Sequence, residues 1–242
     1  MKLWATRALK AFFRRCSRLR LEISPPSLAG EVAHFAVAII ENGPTSSHLG
    51  AFYRGEDGLR LLHLAFHMDV RDEPAPSGFF WHSLTDLDMF VAEQIAATFN
   101  VAATLYANKP ANERSPLQYS FANDPEFVGP DLTVGSTLPG TGYTCSTFVL
   151  RILENIGIML IDRTTWKARA EDADWQSWII ECLIRKYGDA VADHVKAMRK
   201  EIGAFRIRPA DVVAAASLPR EAKFADIEQL VGRVESSIRT TE

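Results

Sequence analysis

The stretch Gly140-Thr141-Gly142-Tyr143-Thr144-Cys145-Ser146-Thr147-Phe148-Val149 decides how this chain is read. A glycine-rich loop runs into a cysteine, and an amphipathic segment begins there. Apolar residues recur at Phe148, Val149, Ile152, Leu153, Ile156 and Leu160, the period of about 3.6 that marks one buried face of a helix. Gly, Thr and Ser just before the run are a helix-start signal. Cys145 is therefore expected on the first turn of a buried helix. There a thiol meets unpaired backbone N–H groups and the positive end of the macrodipole, which favour thiolate. The same N–H groups could hold the oxyanion of an acyl-transfer intermediate. A free cysteine is more often a small buried hydrophobe, so the chemical reading needs a base.

A base is available upstream. Val32 to Glu41 reads as a buried strand, His48 to Arg54 as a second and Leu59 to Phe66 as a third. Gly55-Glu56-Asp57-Gly58 between the last two reads as a hairpin turn. A tight turn pairs Arg54 with Leu59, so paired residue numbers sum to 113. Gly50 then faces His63, and residues 48, 50, 63 and 65 share one face. His48 and His63 become diagonal neighbours within mutual reach, and Gly50 leaves room for an imidazole. A slip of one residue would separate the two rings. A cysteine nucleophile needs an imidazole to take its proton, and the imidazole needs a polar partner to orient it. With the Cys145 helix packed on the imidazole face, the three residues would supply this set.

These pieces resemble a known group. His48-Leu49-Gly50-Ala51-Phe52-Tyr53, a Gly-containing turn and Leu61-Leu62-His63-Leu64 look like the strand-turn-strand of circularly permuted papain-like proteins. Thr144-Cys145-Ser146-Thr147-Phe148-Val149 looks like their nucleophile helix. The group is the NlpC-type superfamily, which includes lecithin retinol acyltransferase and its relatives. Ordinary members carry Cys before His, and permuted members carry His first, as here. The Cys-Ser-x-Phe-Val pattern is closer to bacterial peptidoglycan-amidase members. The resemblance implies Cys145 as nucleophile, His48 as general base and His63 as polar third member. It implies an α+β, papain-like fold in which a small antiparallel sheet packs against the nucleophile helix. It covers about residues 32–66 and 140–160.

Other candidates are weighed around that set. Tyr143 is a candidate donor to the oxyanion or substrate, and His67 an alternative third member. His34, His82 and His194 belong to no constellation. His48, His63 and Cys145 have no fourth ligand at ligand-like spacing, so neither a metal nor another cofactor is expected. Trp175 and Trp178 read as core packing.

The whole chain has 242 residues, 47% hydrophobic and 24% charged, as in an ordinary globular protein. Its three cysteines, Cys16, Cys145 and Cys182, are too few and too scattered for a disulfide framework. A reducing, cytoplasmic setting is the default, with membrane association or export without a classical signal as the other options. The net charge of −3 hides an asymmetry. Residues 1–21 hold Lys2, Arg7, Lys10, Arg14, Arg15, Arg18 and Arg20 and no acid, leaving 20 bases against 30 acids elsewhere. Residues 1–22 read as a basic amphipathic helix suited to an anionic membrane surface or to packing on the body. The acidic remainder argues against nucleic acid. No stretch approaches the roughly 20 apolar residues of a membrane span, and the start lacks the uninterrupted apolar core of a secretory signal.

Residues 30–220 are expected to form the catalytic domain and 221–242 a charged tail. Within the domain, 69–80 reads as a polar loop, Leu84 to Phe99 as a helix and Leu132 to Leu138 as a short strand. Residues 107–131 read as a long irregular segment able to wall a cleft. Asp174 to Ile202 reads as two helices broken near Gly188, Phe205 to Ile207 as a short strand, and Pro209 as the start of a helix. The expected activity is that of a cysteine peptidase or amidase, cleaving a peptide, isopeptide or peptidoglycan amide bond through a thioester. The alternatives are a thiol acyltransferase or lipid acyl hydrolase docked on membrane by residues 1–21, and a catalytically inactive interaction protein of the same fold.

Overall fold

The structure is a computed structural model that describes residues 21–43, 46–85, 87–109, 115–121 and 123–239. The basic segment 1–20, with Cys16, lies outside the described residues. Five strands form one antiparallel sheet: β1 (Phe35–Glu41), β2 (Ser47–Gly55), β3 (Gly58–Phe66), β4 (Asp69–Pro74) and β5 (Phe80–His82), in the order β4-β3-β2-β1-β5. Among the described residues six α-helices accompany it: α1 (Met89–Tyr106), α2 (Cys145–Asn155), α3 (Asp172–Tyr187), α4 (Ala192–Met198), α5 (Pro209–Ala216) and α6 (Phe224–Arg239). A two-residue pair, β6 (Phe127–Val128) and β7 (Thr133–Val134), stands apart. The class is α+β. Among the described residues no helix is long and apolar enough to cross a membrane.

The hairpin register is the expected one. Arg54 pairs with Leu59 and Ala51 with Leu62, all numbers summing to 113. The ladder stops at Ala51–Leu62, just short of the histidines. Alternation then sorts the sheet into two faces. Leu49, Ala51, Leu62 and Leu64 join the main core with Phe148, Val149 and Ile152 of α2. Phe52 and Leu61, which share parity with His48 and His63, belong to a smaller cluster with Val32, Ala36, Ala38, Phe79 and Trp81. So the apolar stripe of α2 packs on the face opposite the imidazoles, while its first residue, Cys145, still reaches His48. Strand parity says which residues travel together; it does not say which face a distant helix will choose.

Several elements differ from expectation. Where a loop was expected at 69–80, residues 69–74 form β4 and β5 begins at Phe80. In β4 only Val70 is buried, and its charged neighbours are what an exposed sheet edge tolerates. The helix expected from Leu84 starts at Met89, where the Asp88 carboxylate accepts the Phe90 N–H, and runs on to Tyr106. Its buried stripe is carried by alanines (Ala96, Ala102, Ala103) beside Ile95 and Phe99, while Phe90 is exposed. Helix α2 ends at Asn155, five residues early, where Gly157 turns with φ +77°. The strand at 132–138 shrinks to Thr133–Val134, and 205–207 is not a strand. The break at Gly188 and the start at Pro209 fall where expected. Residues 224–239, read as part of a charged tail with helical potential and an end able to fray, form a helix that packs Ile227, Leu230, Val234 and Ile238 against the core.

Candidate active site

Cys145 is the first residue of α2. Thr144 caps the helix: its Oγ1 accepts the Thr147 N–H at 3.1 Å, and its own N–H donates to Thr147 Oγ1 at 2.9 Å. This reciprocal cap satisfies one first-turn amide and leaves those of Cys145 and Ser146 for a ligand. The glycine loop before it lies tight on Gln118, Ser120 and Asn123. The Gly142 N–H donates to the Asn123 carbonyl, and Tyr143 and Gln118 join backbone to backbone at 2.9 Å. Any Cβ on Gly142 would stand 2.3 Å from the Gln118 carbonyl oxygen, at a φ of +155°. Only glycine allows that approach. The segment expected to wall a cleft thus braces the loop that leads into Cys145.

His48 and His63 meet as the register requires. His48 Nε2 lies 2.7 Å from His63 Nδ1. The chain continues, because His63 Nε2 lies 3.2 Å from a carboxylate oxygen of Glu73 on β4. Leu61 pairs with Glu73, and His63 with Arg71, so Glu73 is a diagonal neighbour on the same face. A carboxylate can only accept, so Glu73 takes the His63 Nε2–H. His63 Nδ1 is then an acceptor and takes the Nε2–H of His48. The lone pair of His48 is left on Nδ1, the nitrogen free for the thiol. One exposed carboxylate at the sheet edge thereby sets the tautomer of the base two strands away.

The thiol is drawn to both sides of that arrangement. Burial pushes the Cys145 thiol up, but three neighbours outweigh it: His48 by charge and hydrogen bond, the Leu49 backbone N–H, and the Arg206 guanidinium. The result is a pKa lowered to about 7, at which thiolate is abundant near neutrality. The Leu49 amide lies beyond the last β2–β3 pair, where it reaches the sulfur. His63 moves the other way. Burial, then the charges of His48 and Arg71, push its pKa down to about 3, so it stays neutral near neutrality.

The remaining candidates have other surroundings. Tyr143 is buried in an aromatic stack on Phe127, with ring centroids 5.3 Å apart, and beside Phe148. Its hydroxyl makes no hydrogen bond to Cys145 or His48. His67 is buried; its Nδ1 accepts the Tyr119 N–H at 3.2 Å, and its ring lies against His194 and Tyr187. His194, expected in no constellation, joins two parts of the site's frame. It accepts the Gly140 N–H at Nδ1 and meets the Tyr119 carbonyl at Nε2, at 3.0 and 2.9 Å. Trp178 is half exposed, not core. Cys182 is a free thiol outside the set.

Two functional groups escaped the sequence reading. Glu73 was hidden because an acidic, proline-ended stretch reads as loop. Arg206 carries no local signature; it matters because Trp175 and the segment around it hold it near the sulfur. Among the described residues no group of three or more His, Cys, Asp and Glu is placed to hold a metal ion. Comparison with family models, with curated proteins and with solved structures gave no match.

Proposed function

We propose that the protein is a cysteine hydrolase of the papain-like, permuted NlpC type, cleaving an amide bond through a thioester. The observation that carries this reading is the unbroken chain Cys145–His48–His63–Glu73, with the sulfur at a capped helix N-terminus. His48 Nδ1 takes the thiol proton, and the imidazolium is steadied by its Nε2–H bond to His63. The thiolate attacks the acyl carbon. The oxyanion falls to the backbone amides of Cys145 and Ser146. Collapse expels the amine with the proton returned by His48, leaving a thioester. Water then attacks with His48 as base, the acid departs and the thiol is restored.

The test is covalent labelling with an electrophilic probe, followed by incubation with peptides, isopeptide-linked conjugates and peptidoglycan fragments. Labelling and turnover in wild type, both lost in Cys145→Ala and strongly reduced in His48→Ala, support the proposal. Labelling that persists in Cys145→Ala overturns it. A second reading, acyl transfer or lipid acyl hydrolysis at a membrane, is favoured by the seven basic residues of segment 1–21. It uses the same catalytic set, and is selected if anionic liposomes bind the chain, deletion of 1–21 abolishes binding, and acyl lipids are consumed.

A further inference from the structure

A cavity of about 390 Å³ is walled by Ser46, Ser47, Trp175, Trp178, Arg206 and Arg208, with Glu171 and Asp174 also lining it. Ser47, in its wall, is the chain neighbour of His48 at the start of β2. The cavity's two arginines are in opposite states. Arg208 is matched by Asp172 at 2.9 Å and by Glu171 at 3.3 Å. Arg206 is only 9% exposed, has no carboxylate partner among the described residues, and its Nε has no hydrogen-bond partner. Its guanidinium stacks on Trp175, 3.3 Å from the ring centroid. That contact leaves the in-plane N–H donors unused.

An unpaired buried cation is costly, yet the fold holds this one deliberately in place. Gln176, wholly buried, donates to the Ala204 carbonyl at 2.8 Å and accepts the Gly203 N–H at 2.7 Å. Trp166 Nε1 donates to the Arg206 carbonyl at 3.0 Å. On the far side the Arg208 N–H donates to Asp211 at 2.7 Å. The backbone is fixed before, at and after Arg206, while its Nε–H is left without an acceptor among the described residues. The Arg206 charge also helps, after His48 and the Leu49 N–H, to lower the Cys145 thiol pKa.

We propose that Arg206 is a substrate-positioning residue that binds a carboxylate of the acyl substrate, so that the enzyme prefers acyl groups bearing a negative charge near the scissile carbonyl. The planar N–H fork of Arg fits a carboxylate by two parallel bonds, and the Trp175 ring fixes the plane in which that fork lies. This inference rests on Cys145 being the nucleophile.

The experiment uses two alkylating agents that differ in charge, iodoacetate and iodoacetamide, on the full chain. Both react through the same thiolate, so their rate ratio cancels any change in thiol ionisation. In wild type the ratio of iodoacetate to iodoacetamide rates at Cys145 is expected about tenfold above that of free glutathione. It should fall to the glutathione value in Arg206→Gln and stay partly raised in Arg206→Lys. Succinate, but not succinamide, should protect wild-type Cys145 from iodoacetamide, a measurement that needs no folded variant. A wild-type ratio equal to that of glutathione, or no protection by succinate, overturns the inference while leaving a fast Cys145 intact as nucleophile. A Cys145 that reacts no faster than Cys182 with iodoacetamide overturns both.

Discussion

His48 Nε2 stands 2.7 Å from His63 Nδ1, and that single contact fixes the chemistry of both rings. Two neutral imidazoles can share it only with one proton between them. Glu73 at the far end decides the sense, because it cannot donate. The proton order runs from the sheet edge inward, and the basic nitrogen emerges facing the sulfur.

The first consequence concerns ionisation of the thiol. Alkylation of Cys145 should follow a titration with midpoint near pH 7, the value to which His48, the Leu49 amide and Arg206 bring it against burial. In His48→Ala the midpoint should rise by more than one pH unit, since the largest lowering contribution is gone. Rates of iodoacetamide modification from pH 5 to 10, read by mass spectrometry at Cys145, provide the check. Identical profiles in the two proteins would show that the imidazole does not act on the sulfur.

Glu73 should matter through geometry more than through charge. Its side chain is 44% exposed, so solvent screens it. Glu73→Ala is expected to slow turnover about 3- to 10-fold, the worth of roughly one net hydrogen bond. Glu73→Asp, with the carboxylate pulled back, should recover part of it. His63→Ala, which removes the partner of the imidazolium itself, should cost more than either. The distinguishing readout is the pH–rate profile: it should shift in Glu73→Ala and stay in place for a substitution at exposed Glu56.

Gly50 should tolerate no side chain. A Cβ there would stand 2.7 Å from Leu61 Cδ1, 3.1 Å from His63 Cβ and 3.2 Å from the Leu62 carbonyl oxygen. All three neighbours belong to β3, the strand that carries the third member of the site. Gly50→Ala is expected to destabilise by about 1–3 kcal/mol and to lower labelling of Cys145 by displacing His63. The matching control is Gly232→Ala on α6, where nothing lies within 4 Å. That change should stabilise by about 0.5–1 kcal/mol. Urea midpoints of the two variants are expected to move in opposite directions.

What could be read from the sequence, and what could not, follows from how local the determinants are. The hairpin turn at 55–58 pins its own register, and the register pins His48 beside His63; every term in that inference lies within twenty residues. The cap at Thr144 and the break at Gly188 are equally local. Glu73 was invisible because an edge strand with one buried residue has no alternation to detect. Helix α1 was misplaced because alanines, which carry little pattern, make its contact stripe. The face chosen by α2 and the burial of Arg206 under Trp175 depend on elements far apart in the chain, and no window of sequence contains both.

Acid should unfold this protein early, and the sign can be worked out from His63. Its pKa in the folded chain is depressed to about 3, chiefly by burial, against an ordinary value of 6.5. Below the ordinary value the unfolded chain therefore binds a proton that the folded chain refuses. The stability held by neutral His63 is complete above about pH 6.5 and drains as pH falls toward 3. The loss reaches at most about 1.4 kcal/mol per pH unit for this one group. Burial depresses His82 and His194 in the same direction, so they add to the slope. Thermal melts at pH 7, 6, 5 and 4 should show a falling midpoint across that window. His63→Phe, which cannot be protonated, should flatten the fall by about one proton's worth even if it changes the midpoint at pH 7. An unchanged slope in that variant would place the acid sensitivity elsewhere, with His194 the next ring to replace, since its Nδ1 already accepts the Gly140 N–H and has no room for a proton of its own.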